Sequence, residues 1–307
     1  MRISPAALVI ALGVALTGCT SEYSEAKQLR HDCESGDAAA CNTLGIRLQE
    51  GHKVLRDDPT AATLFERACT NGIGDGCASL GVAYQYGKGV KRDSTRGREL
   101  LAQGCEHGGL DGCARLGLLY LYGDGVPADT SRAVSLFTKA CDGSNSAGCA
   151  SLGTRYATGE GVARDYAKAA QLLRKSCDEK VALGCLGLGK LHASGNGVAR
   201  NDSAAAALYK KACDDHLQDA CLLRATALET GTGVEQNYEE ASWIYRDVCD
   251  NGRNGEACAR LANLHEKGAG VWHDLDQAKR YRKRACDFGY TDACPPAPPR
   301  APARSAG

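Results

Sequence analysis

Cysteine is the residue type in this sequence whose number and spacing indicate a chemical role. The chain has 17 cysteines among 307 residues, and those after Cys19 form eight pairs. Seven pairs are separated by eight positions, as in CEHGGLDGC from Cys105 to Cys113, and Cys249/Cys258 is separated by nine. Paired thiols can form disulfides, bind zinc or remain reduced in an apolar core.

The spacing within a pair favours a disulfide if the chain turns back between the two cysteines. In one continuous helix they would lie about 12 Å apart along the axis, whereas a disulfide needs Cα atoms within about 7 Å. Gly108, Gly109 and Gly112 give the stretch between Cys105 and Cys113 the freedom to reverse. Each bond would then join the end of one helix to the start of the next.

Three alternatives remain open at this point. Zinc sites usually combine the shorter C-x2–4-C spacing with further ligands, and that spacing is absent here. Reduced cysteines are disfavoured in an exported chain, and long-range pairing is disfavoured because two helices separate successive pairs. The predicted disulfides are Cys33–Cys41, Cys69–Cys77, Cys105–Cys113, Cys141–Cys149, Cys177–Cys185, Cys213–Cys221, Cys249–Cys258 and Cys286–Cys294.

The cysteine pairs recur with the period of a structural unit. Their first members step by 36 residues from Cys33 to Cys249, and Cys286 follows after 37. Residues 113–149 predict one unit, with apolar residues at helical spacing, a GDGVPAD turn and a second helix. We call these two helices helix A and helix B. A sustained period of this length favours one long stack over two ordinary domains.

Several positions of the unit keep their residue type. An N-cap type stands twelve residues before each first cysteine from Cys69 onward: Asp57, Asp93, Asp129, Asp165, Asn201, Asn237 and Asp274. A small residue stands eight before it: Ala61, Gly97, Ala133, Ala169, Ala205, Ala241 and Ala278. A valine stands thirteen after each second cysteine from Cys41 to Cys258: Val54, Val90, Val126, Val162, Val198, Val234 and Val271.

The charge balance argues against one class of partner. Lys and Arg together number 37, equal to Asp and Glu, so the chain has no basic field to attract a phosphate backbone. Nucleic acid is therefore not expected as a partner.

The N-terminus, MRISPAALVIALGVALTGCT, has an apolar run shorter than the roughly 20 residues of a membrane span. Its end, Leu16-Thr17-Gly18-Cys19, resembles a bacterial lipoprotein signal. The resemblance implies that residues 1–18 are a removed signal peptide, that Cys19 is lipidated, and that residues 19–24 form the tether to a membrane. Thr20, in place of Asp, favours the outer membrane, with the protein facing the periplasm or the cell surface. In such an envelope compartment disulfides persist.

Units such as GCASLGVAYQYGKGV…D…LLAQGC resemble Sel-like repeats, relatives of the tetratricopeptide repeat, in their secreted cysteine-rich branch. The resemblance implies an all-α, right-handed α-solenoid of about seven 36-residue helix-turn-helix repeats linked by disulfides over residues 25–294. Residues 295–307, rich in Pro and Ala, are expected to be a disordered tail. The chain departs from the pattern at Lys53, where a loop Gly is expected, and at Ala225 and Ala262 in helix A.

Catalytic patterns are scarce. No G-x-S-x-G, H-E-x-x-H or phosphate-binding loop is present, and the seven histidines are interpreted as lying at different repeat positions with no metal site. We therefore expect no cofactor and no catalytic residue. The cysteine-rich branch includes β-lactam-binding proteins with weak β-lactamase activity, which gives an alternative function as a hydrolase. The Ser24-x-x-Lys27 match lacks the S-D-N and K-T-G that the signature requires.

Helix A is the candidate binding surface. Positions two, five and nine after each second cysteine should share one face and vary between units, and in the tetratricopeptide relatives helix A lines a groove. The leading hypothesis is a non-catalytic, lipid-anchored envelope scaffold that binds a protein or peptide there, with peptidoglycan or a β-lactam as further ligands to consider. The candidate partner-binding residues are Tyr86, Arg115, Tyr122, Lys190, Arg260 and Lys267.

Overall fold

The computed structural model describes residues 25–52 and 54–294, and these residues form helices joined by loops, with no strand. A helix over residues 25–34 (α1) is followed by fourteen helices of 13 residues each. The next seven are α2 (Ala38–Glu50), α3 (Asp58–Thr70), α4 (Gly74–Tyr86), α5 (Ser94–Glu106), α6 (Leu110–Tyr122), α7 (Thr130–Asp142) and α8 (Ser146–Thr158). The last seven are α9 (Tyr166–Asp178), α10 (Ala182–Ser194), α11 (Asp202–Asp214), α12 (Gln218–Thr230), α13 (Tyr238–Asp250), α14 (Gly255–Lys267) and α15 (Leu275–Asp287).

The helices form two compact regions that divide after Arg164. The N-terminal region, residues 25–164, contains α1–α8, and the C-terminal region, residues 165–294, contains α9–α15 and a 3-10 turn at Thr291–Ala293. Within each region helix A packs against helix B of its own repeat and against helix B of the repeat before. Each region is an all-α solenoid, so the predicted fold class is confirmed. No helix of the described residues has the length and apolar character needed to cross a membrane.

Side-chain caps fix where each helix B begins. All seven predicted Asp and Asn residues are N-caps whose side chains accept backbone N–H groups of the first turn. Asp129, for example, accepts a hydrogen bond from the Arg132 N–H at 2.9 Å. Such a bond satisfies an amide that has no partner inside its own helix. This part of the prediction is confirmed.

Left-handed glycines fix where each helix A ends. Gly123 caps α6 with φ 72°, and Gly125 follows with φ 71°. Pairs of this kind recur in every later repeat, because a residue without a Cβ adopts positive φ at little cost. In the first repeat Gly51 takes the same conformation, and the Lys53 departure lies outside the described residues.

Seven disulfides join a helix B to the helix A that follows it, and the eighth, Cys286–Cys294, joins α15 to the end of the 3-10 turn. The cysteines are paired as the spacing predicts, with Cα–Cα distances of 4.4–4.9 Å. The chain reverses between the two cysteines of each pair, as the reach of a disulfide requires. At the beginning α1 carries Cys33, and its Leu29 packs on the first core.

The expectation about the three glycines before Cys113 needs correction. Gly108 has φ +82°, but Gly109 has φ −70° and Gly112 lies inside α6. A Cβ on Gly109 would lie 2.5 Å from the carbonyl carbon of Gly74, so that glycine serves close packing. Turning the chain requires one left-handed residue, and the other two glycines allow neighbouring backbones to approach.

Even the left-handed position does not demand glycine. Ser144, Lys180 and His216 stand at the place of Gly108 in their repeats and have φ between 61° and 71°. A non-glycine residue in this conformation is strained by about 1–2 kcal/mol. The packed helices and the disulfide on either side hold the turn closed in spite of that strain.

Candidate functional site: the helix A surface

Two exposed tyrosines mark the helix A surface of the N-terminal region. Tyr86 is the last residue of α4 and Tyr122 the last residue of α6. These two helices pack directly against each other, so the tyrosines occupy equivalent positions on neighbouring helices. Their side chains are 66% and 76% exposed. Exposed aromatic rings in register are the kind of residue that dominates binding energy at protein interfaces.

Arg115 lies on the same face but is already engaged. Its Nε donates a 2.5 Å hydrogen bond to Oδ2 of Asp111, four residues earlier in α6. The pair remains nearly half exposed on both sides, and exposed ion pairs of this kind contribute little to stability. Arg115 can therefore exchange Asp111 for an acidic partner at small cost.

A pocket of about 470 Å³ opens at the N-terminal ends of helices A in this region. Asn42 and Ile46 of α2, Asp75 and Ser79 of α4, and Asp111 of α6 line it. Oδ1 of Asn42 is buried and accepts no hydrogen bond from the described residues. Burial, and then the charge of Asp111, raises the pKa of Asp75. The pocket therefore presents acceptor oxygens and would favour a ligand that supplies donors or positive charge.

The predicted residues of the C-terminal region are less alike. Lys190 of α10 and Lys267 at the end of α14 are exposed. Arg260 of α14 is half-buried, and its guanidinium donates to Glu256 at 2.9 Å and to Glu229 at 3.1 Å. Two lysines are free to meet a partner, and Arg260 is committed inside the chain.

Arg260 belongs to a network that ties helix B to helices A of two repeats. Tyr245 of α13 is fully buried, and its hydroxyl donates to Oε2 of Glu229 at 2.7 Å. Burial raises the pKa of Tyr245. Burial alone would lower the pKa of Arg260, but Tyr245 and the two carboxylates raise it above its ordinary value. Both groups keep their protons, so the network serves structure, not acid–base chemistry.

The one catalytic motif weighed from the sequence, Ser24-x-x-Lys27, lies only partly within the described residues. Among residues 25–52 and 54–294 no cluster of His, Cys, Asp or Glu could hold a metal ion. Lys27 lies on α1 and Ser24 lies outside the described residues, as does Cys19.

The interpretation that the histidines lie at different repeat positions was wrong for two of them. His192 and His265 each stand seven residues after the second cysteine of their repeat. Nδ1 of His192 lies 3.3 Å from the carbonyl oxygen of Ala199, and Nδ1 of His265 lies 3.2 Å from that of Trp272. In both repeats the imidazole holds the loop between helix A and helix B.

Sequence reasoning missed a second exposed aromatic site. Trp243 and Trp272, the two tryptophans of the chain, line one cleft of the C-terminal region. The available signal was their repeat position. The residues equivalent to Trp243 are Thr63, Glu99, Ser135, Gln171, Ala207 and Arg280, none of them aromatic. A large apolar residue at a position that packing does not use indicates a surface role.

Comparison with known proteins is consistent with this architecture. The family model described as Sel1 repeat matches seven segments, residues 38–73, 74–109, 110–145, 146–181, 182–216, 218–246 and 255–290. No curated protein matches the chain.

Among solved structures, the chain is 28% identical, with TM-score 0.62, to a protective antigen of uropathogenic Escherichia coli strains that displays an SLR fold. That match covers 87% of this chain and 57% of the antigen, so the chain spans little more than half of that relative. A Sel1 repeat protein from Oxalobacter formigenes is 24% identical with TM-score 0.62, over 87% of this chain and 78% of that one.

Proposed function

This chain belongs to the Sel1 repeat family, and we propose that it works as a non-catalytic scaffold that binds a protein or peptide on its helix A surface. Proteins built from this repeat are generally protein-interaction scaffolds. Stacked helix pairs present neighbouring helices side by side, so one extended ligand can contact several repeats.

The observation that carries the proposal is the exposure of Tyr86 and Tyr122 on adjacent helices. Neighbouring packed helices lie about 8–10 Å apart, a spacing that lets two side chains of one extended or helical peptide contact both rings. Tyrosine offers a large, stiff contact area and a hydroxyl that can bond at the rim of an interface. Such a ligand gains from burying both rings.

The pocket at the other end of the same helices supplies a second contact. Asp75, Ser79 and Asn42 present oxygens there, and Asp111 becomes available if Arg115 turns to the ligand. A peptide with an amino or guanidinium group would complement these carboxylates. We therefore favour a partner segment with aromatic-binding apolar side chains at one end and a basic group at the other.

We also propose that the scaffold is anchored in a bacterial envelope through a lipid on Cys19. The support is Leu16-Thr17-Gly18-Cys19 after an apolar run, together with sixteen further cysteines that form bonds typical of an oxidising compartment. Outer-membrane sorting rests on Thr20. Cys19→Ser should abolish incorporation of labelled fatty acid and shift the protein from the membrane to the soluble envelope fraction. Unchanged membrane association and labelling of the variant would remove this part of the proposal.

Site-specific photocrosslinking tests the binding surface directly. A photoreactive amino acid at position 86 or 122 should give a discrete crosslinked product in the native envelope. Position 55 is the matched control, because Leu55 is 91% exposed but lies in the loop between α2 and α3 and not on a helix A. Products at all three positions, or at none, would contradict a partner on helix A. Turnover of a chromogenic cephalosporin by the oxidised protein would contradict the non-catalytic assignment.

A further inference from the structure

A cleft that we call the tryptophan cleft lies on the helix B side of the C-terminal region. It has a volume of about 1040 Å³ between α13, α15 and the loop that follows α14. Trp243 lines it from α13, Trp272 from the loop and Gln277 from the first turns of α15. None of its lining residues is a residue of the proposed partner surface. The cleft is therefore a candidate site in its own right.

Both tryptophan rings stand open to solvent. Trp243 is 69% exposed and Trp272 is 91% exposed, although burial of such a ring is strongly favourable. The backbone that carries Trp272 is fixed, because its carbonyl oxygen contacts Nδ1 of His265. The His265 ring in turn stacks on Tyr281, with centroids 5.6 Å apart. The backbone that carries Trp272 is thus anchored to α14 and α15.

The charge of the cleft is negative. Glu239, Glu240 and Asp274 line it, against the single cation Arg246. Glu240 is paired with Arg224, whereas Glu239 forms no ion pair with the described residues. Glu239 and Trp243 are four residues apart on α13 and share a face of the helix. An aromatic ring beside an unpaired carboxylate complements a ligand that is both apolar and basic.

The chain carries such a ligand in its last thirteen residues, PPAPPRAPARSAG. We propose that the tryptophan cleft binds this C-terminal segment, residues 295–307, in the same molecule. Five of the eight prolines of the chain fall there, with Arg300 and Arg304 between and after them. Proline-rich segments dock on aromatic-lined grooves in the polyproline II conformation. The two arginines would then meet the carboxylates of the cleft.

The segment is long enough to reach the cleft. It begins after Cys294, which is bonded to Cys286 near the end of α15. Gln277 in the cleft lies nine residues earlier in that helix, about 14 Å along its axis. Thirteen residues of polyproline II extend about 40 Å. The first few residues can cover the distance and leave the proline-rich part over the rings.

Another cleft of the C-terminal region is lined by Cys294 itself but has the wrong charge for this segment. Four cations line it, Arg260, Lys279, Arg282 and Lys283, against three carboxylates, Glu229, Asp287 and Asp292. Neither tryptophan lines it. A segment with two arginines is therefore repelled from the nearer cleft and attracted to the tryptophan cleft.

Tryptophan fluorescence of the full chain tests the proposal, because both reporters lie in the cleft. Acrylamide quenching is compared between the unaltered chain and the variant Arg300→Glu/Arg304→Glu. Loss of the cover should increase the quenching constant by about twofold, since a docked segment shields one face of each ring. Arg300→Lys/Arg304→Lys is the matched control and should quench like the unaltered chain. Trp243→Phe and Trp272→Phe, measured separately, assign the change to each ring.

Each outcome decides the question. Equal quenching of the unaltered and Glu variants, at unchanged melting temperature, would overturn the proposal. A protection that weakens on dilution would replace it by binding between two copies, because an intramolecular contact is independent of concentration. Protection by chito-oligosaccharide but not by the C-terminal segment would identify a carbohydrate site and likewise overturn it. A synthetic 295–307 peptide should restore protection to the Glu variant.

Discussion

The N-terminal and C-terminal regions share one repeat but expose most of their large apolar side chains on different helices. In residues 25–164, Ile46, Tyr86, Leu118 and Tyr122 are exposed on helices A, and Leu55 in the loop after one. In residues 165–294, Tyr238, Trp243 and Leu275 are exposed on helices B, Trp272 in the loop before one, and Leu183 on a helix A. The packing positions of a solenoid are constrained, so its solvent faces are free to diverge. The two surfaces that we propose for binding therefore lie one in each region.

The cores of the two regions differ at one matched position. In the third repeat Gly117 of helix A leaves room for the fully buried ring of Phe137. In the sixth repeat the equivalent pair is Ala225 and Tyr245, and the tyrosine hydroxyl is satisfied by Glu229. An apolar contact in one region is replaced in the other by a buried hydrogen-bond network. The four following experiments challenge this comparison, beginning with what the regions share.

Reduction of the disulfides should have the largest effect and should act on both regions. Each bond closes a short loop and stabilises by roughly 2–3 kcal/mol in the loop-entropy model. Eight such losses exceed the usual 5–15 kcal/mol of a folded protein. Circular dichroism melts with and without reductant should show a large fall in melting temperature. The same melting temperature under both conditions would contradict a structural role for the bonds.

Overpacking the glycine position should distinguish the regions next. A Cβ on Gly117 would lie 2.6 Å from the Phe137 ring, so Gly117→Val should destabilise by about 3 kcal/mol. The reciprocal change Ala225→Gly opens a position that already holds a Cβ and should cost about 0.5–1 kcal/mol. Denaturant unfolding measures both. Equal losses would mean that the two cores are not packed differently.

Exchanging the buried aromatic residues should have a smaller effect. Tyr245→Phe leaves Glu229 without its hydroxyl donor and should cost about 1 kcal/mol. Phe137→Tyr introduces a buried hydroxyl without an acceptor. The two residues that accept from Tyr245 correspond to Leu118 and Leu121 in this repeat, so the change should cost about 1–3 kcal/mol. Chemical denaturation of the two variants provides the test. A neutral Tyr245→Phe would show that the network contributes nothing beyond packing.

The smallest effect should be the opposite pH dependence of two carboxylates. Burial raises the pKa of Asp75, so its contribution to stability is present below the unfolded pKa and is lost as pH rises. A backbone hydrogen bond from Gln277 lowers the pKa of Asp274, whose contribution is lost as pH falls. Between about pH 3 and pH 6, the difference in unfolding free energy between each variant and the unaltered chain should therefore change with pH in opposite directions for Asp75→Asn and Asp274→Asn. Deviations of the same sign would contradict these environments.

The local features of each repeat were predictable because neighbours in sequence determine them. The N-caps from Asp57 to Asp274 act on amides three residues away, and each disulfide spans eight or nine positions. The tryptophan cleft was not predictable in this way. It combines α13, a loop and α15, whose lining residues are up to 40 positions apart. The repeat pattern predicts only what recurs, and Trp243 and Trp272 are exceptions to that pattern.

The sequence by itself determined the period, the helix pairs, their caps and the cysteine partners, because each depends on short-range geometry that recurs. The tertiary structure decided which side chains remain available. Arg115 and Arg260 carry the same predicted role, yet one holds an exposed carboxylate and the other a half-buried network. The tertiary structure also decided that Lys180 and His216 adopt the left-handed turn that glycine favours. Packing of whole helices supplies the free energy that local preference lacks.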